Sequence, residues 1–83
     1  MKPLALAQPG ERVRIKEIQA GRRFCSRLHA MGLTENTEVE VVSNYGRGPV
    51  LIMKDNFRLA IGWGMAQKIM VESVDNGKKE KDL

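Results

Sequence analysis

Cys25 and His29 are the two residues whose types and spacing best suit metal binding or nucleophilic catalysis. They stand at positions i and i+4, so on an α-helix their side chains would lie one turn apart and could share a metal ion. Two ligands are too few for a tight metal site, and as a nucleophile and base the pair lacks a third group to orient the histidine. They are therefore only weak metal candidates, and the sequence predicts no cofactor.

A second group of residues is suited to protein contacts. Three arginines fall on the polar side of the same predicted helix, where they would attract an acidic partner. Two aromatic residues lie beside glycines in predicted loops, where large aromatic side chains commonly anchor a partner. An equally good interpretation of Trp63 is that it closes one end of the core. The predicted partner-binding residues are Arg22, Arg23, Arg27, His29, Gly32, Tyr45 and Trp63.

The distribution of positive charge makes nucleic-acid binding the main alternative function. Arg12, Arg14 and Lys16 line one face of a predicted strand, and small barrels often bind nucleic acid. The aromatic content is only 5%, no aromatic residue interrupts the basic strand, and several glutamates dilute the positive field. Nucleic acid is therefore a disfavoured partner.

The composition describes one small domain. The 83 residues carry a net charge of +4 and a single cysteine, and no apolar run is long enough to span a bilayer. The sequence therefore predicts a cytoplasmic protein without direct membrane insertion. It contains no P-loop and no paired carboxylates placed for acid–base work, so we expect no enzymatic activity.

One amphipathic helix over residues 22–31 positions these candidate residues. Phe24, Leu28 and Met31 recur at i, i+4 and i+7 and define its apolar face. Gly32 follows at the place where a helix needs left-handed dihedrals, and Leu33 is placed to fold back on the last turn in a Schellman motif.

The rest of the chain is a series of short strands. Five strands are predicted, with a bulge or strand exit at Ile18, a two-residue turn at Asp55–Asn56 and a short helical turn at residues 65–68. This order predicts a mainly β, small SH3-like, partly open barrel of about five strands with one inserted helix and a helical turn before the last strand. Residues 75–83 are predicted to form a charged, disordered tail outside the domain of residues 1–74. The predicted core residues are Leu28, Val39, Val41, Ile52, Leu59 and Ile69.

The ordered motifs of this chain resemble those of the FeoA family, small SH3-like proteins of bacterial ferrous-iron uptake. Leu-x-x-Met-Gly-Leu at residues 28–33 is followed by Gly-Pro-Val at 48–50 and by Arg-Leu-Ala-Ile at 58–61. Residue pairs such as Pro9-Gly10 and Met65-Ala66 extend the resemblance over about residues 4–74.

The resemblance implies a non-catalytic cytosolic accessory protein. Such a protein would bind the cytosolic portion of a FeoB-type ferrous-iron transporter, a membrane GTPase, and modulate it through protein contacts while staying peripheral to the inner membrane. The same fold occurs at the C-terminus of metal-dependent repressors, so a nucleic-acid-binding or metal-sensing regulatory module is the alternative. No winged-helix region precedes the domain here, which favours the accessory protein. The strand edges of an open barrel also allow self-association.

Overall fold

A computed structural model describes residues 1–74 of the chain. Six antiparallel strands form one open sheet in the order β1-β6-β2-β3-β4-β5, with two short helices, as expected for a mainly β, SH3-like fold. The predicted tail, residues 75–83, lies outside the described residues. The elements are β1 Lys2–Pro3, a 3-10 turn Leu4–Leu6, β2 Arg12–Ile18, α1 Arg22–Ala30, β3 Glu38–Asn44, β4 Val50–Lys54, β5 Phe57–Ile61, α2 Trp63–Ala66 and β6 Ile69–Ser73.

Strand β2 shows how the alternating pattern produces a half-buried strand. Val13 and Ile15 are buried, and the basic residues that alternate with them, Arg12, Arg14 and Lys16, lie on the outer face. A register shift between Ile15 and Glu17 turns Ile18 back toward the core. Both alternatives predicted from the broken alternation are found, because a bulge lies two residues before Ile18 and the strand ends at Ile18.

The sheet has one strand more than the sequence predicted. Lys2 and Pro3 form β1, which pairs with Val71 and Met70 of β6 at the edge of the sheet. A proline is tolerated there because an edge strand needs no ladder hydrogen bond on its outer side. A strand of two residues is too short to produce an alternating pattern, so the sequence did not reveal it.

The core is built mainly from the inward-facing residues of the strands, with Leu28 of α1, Ala66 of α2 and Leu4 of the 3-10 turn. Five of the six predicted core side chains are at most 1% exposed. Leu59 is the exception and is half-buried, because it lies on β5 at the edge of the sheet. The fully covered members of the predicted set are Leu28, Val39, Val41, Ile52 and Ile69.

The end of α1 is a Schellman motif, as predicted. The Leu33 N–H donates to the Leu28 carbonyl at 2.8 Å, and the Gly32 N–H donates to the His29 carbonyl at 2.9 Å. Gly32 has φ +85°, and Leu33 is fully buried. Met31, predicted as the last helical residue, is the C-cap.

Replacing Gly32 with alanine is expected to cost about 1 kcal/mol of stability. A Cβ at this position would lie 3.6 Å from the Cε and Nζ atoms of Lys54, which is ordinary contact, so the cost comes from the left-handed backbone. Chemical denaturation would measure it, with Gly48→Ala as a control because that loop glycine has no positive φ, caps no helix and has open space around it. Equal losses in both variants would contradict the explanation.

The Glu11 carboxylate joins the two ends of the described chain. It accepts hydrogen bonds from the Lys2 ammonium at 2.6 Å, the Gln8 N–H at 2.9 Å and the Ser73 hydroxyl. Burial raises the pKa of Glu11, but these donors outweigh it and lower the pKa to about 2 from 4.5. We call these four residues the Glu11 clasp.

Candidate protein-interaction site

A groove of about 230 Å³ opens between the N-terminal segment, the β3–β4 loop and α2. Its walls are mostly apolar and small, with one indole side chain. We call it the Trp63 groove; its lining residues are Ala5, Leu6, Ala7, Gln8, Pro9, Asn44, Gly46 and Trp63.

Asn44 holds two walls of the Trp63 groove together. Its side-chain amide donates to the carbonyls of Ala5 at 2.9 Å and Ala7 at 2.7 Å, which lie 39 and 37 residues away in sequence. Its Oδ1 accepts from the N–H of Gly46 at 3.0 Å, and Gly46 has φ +105°. The amide therefore fixes the start of the β3–β4 loop to the N-terminal segment. The only sequence signal for this role was an asparagine before a glycine-rich loop.

Trp63 is the first residue of α2, so its predicted place in a loop was wrong. The helical turn expected over residues 65–68 begins two residues earlier, after Gly62. Trp63 is half-buried, packs against the core and also lines the groove. The packing supports the interpretation of Trp63 as a core cap, and its role in binding a partner stays a prediction.

Two large exposed hydrophobic side chains belong to the segments that form the Trp63 groove. Tyr45 is 88% exposed between the groove residues Asn44 and Gly46, and Leu6 is 61% exposed within the N-terminal wall. Exposed apolar residues clustered around a cleft mark interaction surfaces more often than scattered ones. Sequence reasoning selected Tyr45 but missed Leu6, because a leucine in a short apolar lead-in resembles a core residue.

The three arginines of α1 form a separate basic face. Arg22, Arg23 and Arg27 are exposed, and within residues 1–74 none of them makes a salt bridge. The first turn of α1 contains no acidic residue, and its N-cap Gly21 offers no side-chain cap. The positive end of the helix dipole therefore adds to the two arginine charges of that turn.

Residues 63–68, which are α2 and the two residues after it, run from the groove to the apolar face of α1. Lys68 Nζ lies 6.0 Å from the centroid of the Phe24 ring on α1, and the Gln19 N–H donates to the Lys68 carbonyl at 2.8 Å. Trp63, at the other end of the segment, lines the groove. His29 and Gly32, also predicted for partner binding, lie at the C-terminal end of α1 and do not line the groove.

The Cys25 thiol is directed to the backbone. Its Sγ lies 3.7 Å from the Ala20 carbonyl oxygen, and the residue is half-buried against the core. Within residues 1–74 no group of three or more histidine, cysteine, aspartate or glutamate side chains is placed to hold a metal ion. The Cys25–His29 pair thus gains no further ligand from the fold.

Glu38 pairs with two of the three basic residues on the strand face considered for nucleic acid. It accepts from Arg14 Nη2 at 2.6 Å and from Arg12 Nε at 3.4 Å. The hydrogen bond from Arg14 lowers the pKa of Glu38 below its usual value, and Arg12 adds to the effect. Two of the three basic residues on this strand are therefore already paired within the domain.

The fold defines the class: a small, mainly β, SH3-like protein with one open antiparallel sheet and two short helices within residues 1–74. No helix within residues 1–74 has the length and apolar character needed to cross a membrane. Residues 2–73 match the FeoA domain, and the chain belongs to the FeoA family.

Comparison with individual proteins agrees with this assignment. The chain is 41% identical over 83 residues to an Fe(2+) transport protein A of Methanocaldococcus jannaschii, covering all of both chains. It superposes with a TM-score of 0.81 on the crystal structure of an iron uptake regulatory protein (FeoA), at 32% identity, covering 87% of this chain and 96% of that one. The metal-dependent transcriptional regulator MtsR shares the fold alone, with a TM-score of 0.78 at 19% identity over 88% of this chain and 34% of that one.

Proposed function

We propose that this protein is a non-catalytic cytosolic accessory protein that docks on the cytosolic portion of a FeoB-type ferrous-iron transporter and modulates it by contact. The observation that carries the proposal is the Trp63 groove, a preformed apolar cleft with the exposed side chains of Leu6 and Tyr45 beside it. Membership of the FeoA family indicates the process, ferrous-iron transport, and the groove offers a surface on which the transporter could bind.

The groove is suited to anchoring an apolar side chain of the transporter. Its volume of about 230 Å³ fits one or two side chains, and the Asn44 amide keeps its walls in place before binding. A preformed pocket costs little ordering entropy on association, so the indole of Trp63 and the phenol of Tyr45 can act as hot spots.

The basic face of α1 supports the same docking by electrostatics. Three exposed arginines and the positive helix end produce a local positive potential that attracts an acidic surface and raises the association rate. In this proposal the arginines orient the encounter, and the groove provides most of the lasting affinity.

Tyr45→Ala and Trp63→Ala are each expected to weaken capture of the detergent-solubilised transporter by about 10-fold or more. Arg27→Glu should slow association and reduce its dependence on salt. Immobilised wild type and variants would be compared by surface plasmon resonance, with GDP or a GTP analogue on the transporter.

Lys16→Glu is the matched control for the charge change. Lys16 is exposed on β2 and makes no salt bridge within residues 1–74, so its reversal should leave capture nearly unchanged. Absence of wild-type capture in every nucleotide state would contradict the function. Capture unaffected by either aromatic substitution would contradict the groove as the docking site.

A further inference from the structure

Strand β5 leaves a long free edge on the sheet. Within residues 1–74 it pairs only with β4, whereas the opposite edge of the sheet is β1, of just two residues. An edge strand offers its outer N–H and C=O groups to any extended chain that can align with them.

The outer main-chain groups of β5 belong to Arg58 and Ala60. Lys54 and Phe57 face each other across the two-residue turn, and the pair that closes such a turn is hydrogen-bonded. Hydrogen-bonded and non-hydrogen-bonded pairs alternate along an antiparallel ladder, so Leu59 and Ile61 also bond to β4. Arg58 and Ala60, both exposed, direct their N–H and C=O groups away from the sheet.

The inward-facing side chains of β5 lack cover along this edge. Ile61 is fully buried, but Leu59 is half-buried and Phe57 is 48% exposed, although all three alternate onto one side of the strand. The exposure arises because no strand lies beyond β5. One additional strand would cover both apolar side chains.

We propose that two copies of this protein associate by antiparallel pairing of their β5 strands about a two-fold axis at Leu59. In this register Arg58 of each copy exchanges hydrogen bonds with Ala60 of the second copy. Leu59 faces Leu59 in a close non-hydrogen-bonded pair, and Phe57 faces Ile61. Both underpacked side chains of β5 thus gain a neighbour.

The side chains of β5 favour this register and favour a second copy of the chain as the pairing partner. Centring the axis on Arg58 would place two guanidinium groups opposite each other, which is unfavourable. Centring it on Ala60 would pair Leu59 with Ile61 and leave Phe57 opposite residue 63, outside the strand. Centring it on Leu59 places Arg58 opposite the small, neutral Ala60 and gives both Leu59 and Phe57 a neighbour. The strand is therefore complementary to itself. A two-fold pair uses the β5 edge of each copy, so association through β5 ends at a dimer.

Sedimentation equilibrium tests the pairing directly. The apparent mass is expected to rise from 9.3 kDa toward twice that value between about 10 µM and about 1 mM, because a single strand edge gives a weak dimer. Ala60→Pro removes the outer N–H without touching the bonds to β4, so this variant should stay monomeric. Ala60→Val keeps the N–H and should dimerise like the wild type.

Amide exchange in the wild type provides a test that needs no variant. The Arg58 and Ala60 amides should exchange several-fold more slowly at the highest concentration than at the lowest, while the loop amide of Arg47 stays unchanged. A monomer at every concentration, equal dimerisation of Ala60→Pro, or concentration-independent exchange at both amides would each overturn the proposal. None of these measurements involves the transporter, so their outcome is separate from that of the proposed docking.

Discussion

Leu28→Ala is expected to lower the free energy of unfolding by about 2–4 kcal/mol, the usual cost of truncating a fully buried leucine. Leu28 is the only fully buried side chain of α1, so it is the main attachment of that helix to the core. Its carbonyl also accepts the Leu33 N–H that closes the Schellman motif. Urea denaturation, followed by circular dichroism, would measure the loss.

The control for this substitution lies on the same helix. Ser26 is exposed, and Ser26→Ala should change stability by less than about 0.5 kcal/mol. A Leu28→Ala protein as stable as the wild type would show that α1 contributes little to the core. A folded Leu28→Gln protein that loses only transporter binding would place Leu28 in the docking surface instead.

The Glu11 clasp is expected to contribute about 3 kcal/mol of stability at neutral pH and to lose it in acid. The pKa of Glu11 is lowered from 4.5 in a free glutamate to about 2 in the fold. A group whose pKa falls on folding stabilises the fold fully above its unfolded pKa. This part of the stability is therefore present above about pH 5 and disappears as the pH falls toward 2.

Glu11→Gln should abolish this part of the pH dependence. A glutamine whose oxygen accepts from the Gln8 N–H places its NH2 donor where Oε2 accepts from Lys2 and Ser73. It can accept from neither of them, so the variant should lose most of the clasp energy at pH 7. Denaturation curves from about pH 7 to about pH 2 would test this, with the exposed Glu35→Gln as the control. Parallel pH profiles for the wild type and Glu11→Gln would refute the clasp.

Much of the fold follows from patterns within single elements. The helix, its glycine stop and the fold-back of Leu33 could be predicted because each depends on residues within one or two turns. The strands β2–β6 followed from alternation and turn residues, as did the turn at Asp55–Asn56, where Asp55 adopts φ +55°.

The features that were missed depend on residues far apart in the chain. β1 exists only because β6 lies beside it, and α2 begins at Trp63 because that indole packs on the core. Leu59 has the pattern of a core residue, but the order of the strands places it at an edge. The pairing of Arg14 with Glu38 likewise follows from the β2–β3 register, which a single sequence does not specify.

The Trp63 groove depends both on local sequence patterns and on contacts between residues far apart in the chain. Tyr45 and Trp63 stood out as aromatic residues beside glycines, but nothing local indicated that they would share a cleft with the N-terminal segment. That cleft depends on the Asn44 amide, which bridges 39 residues of sequence to Ala5. Candidate contact residues were therefore recognisable, whereas the site that they form was not.

The position of β6 in the sheet has a consequence for synthesis of the protein. β6 lies between β1 and β2, although it is the last strand of the described chain to be made. Until residues 69–73 leave the ribosome, β1 has no partner strand and one edge of β2 stays open. These pairings have high contact order, so the sheet is completed late and its nascent form depends on the β2–β5 meander alone.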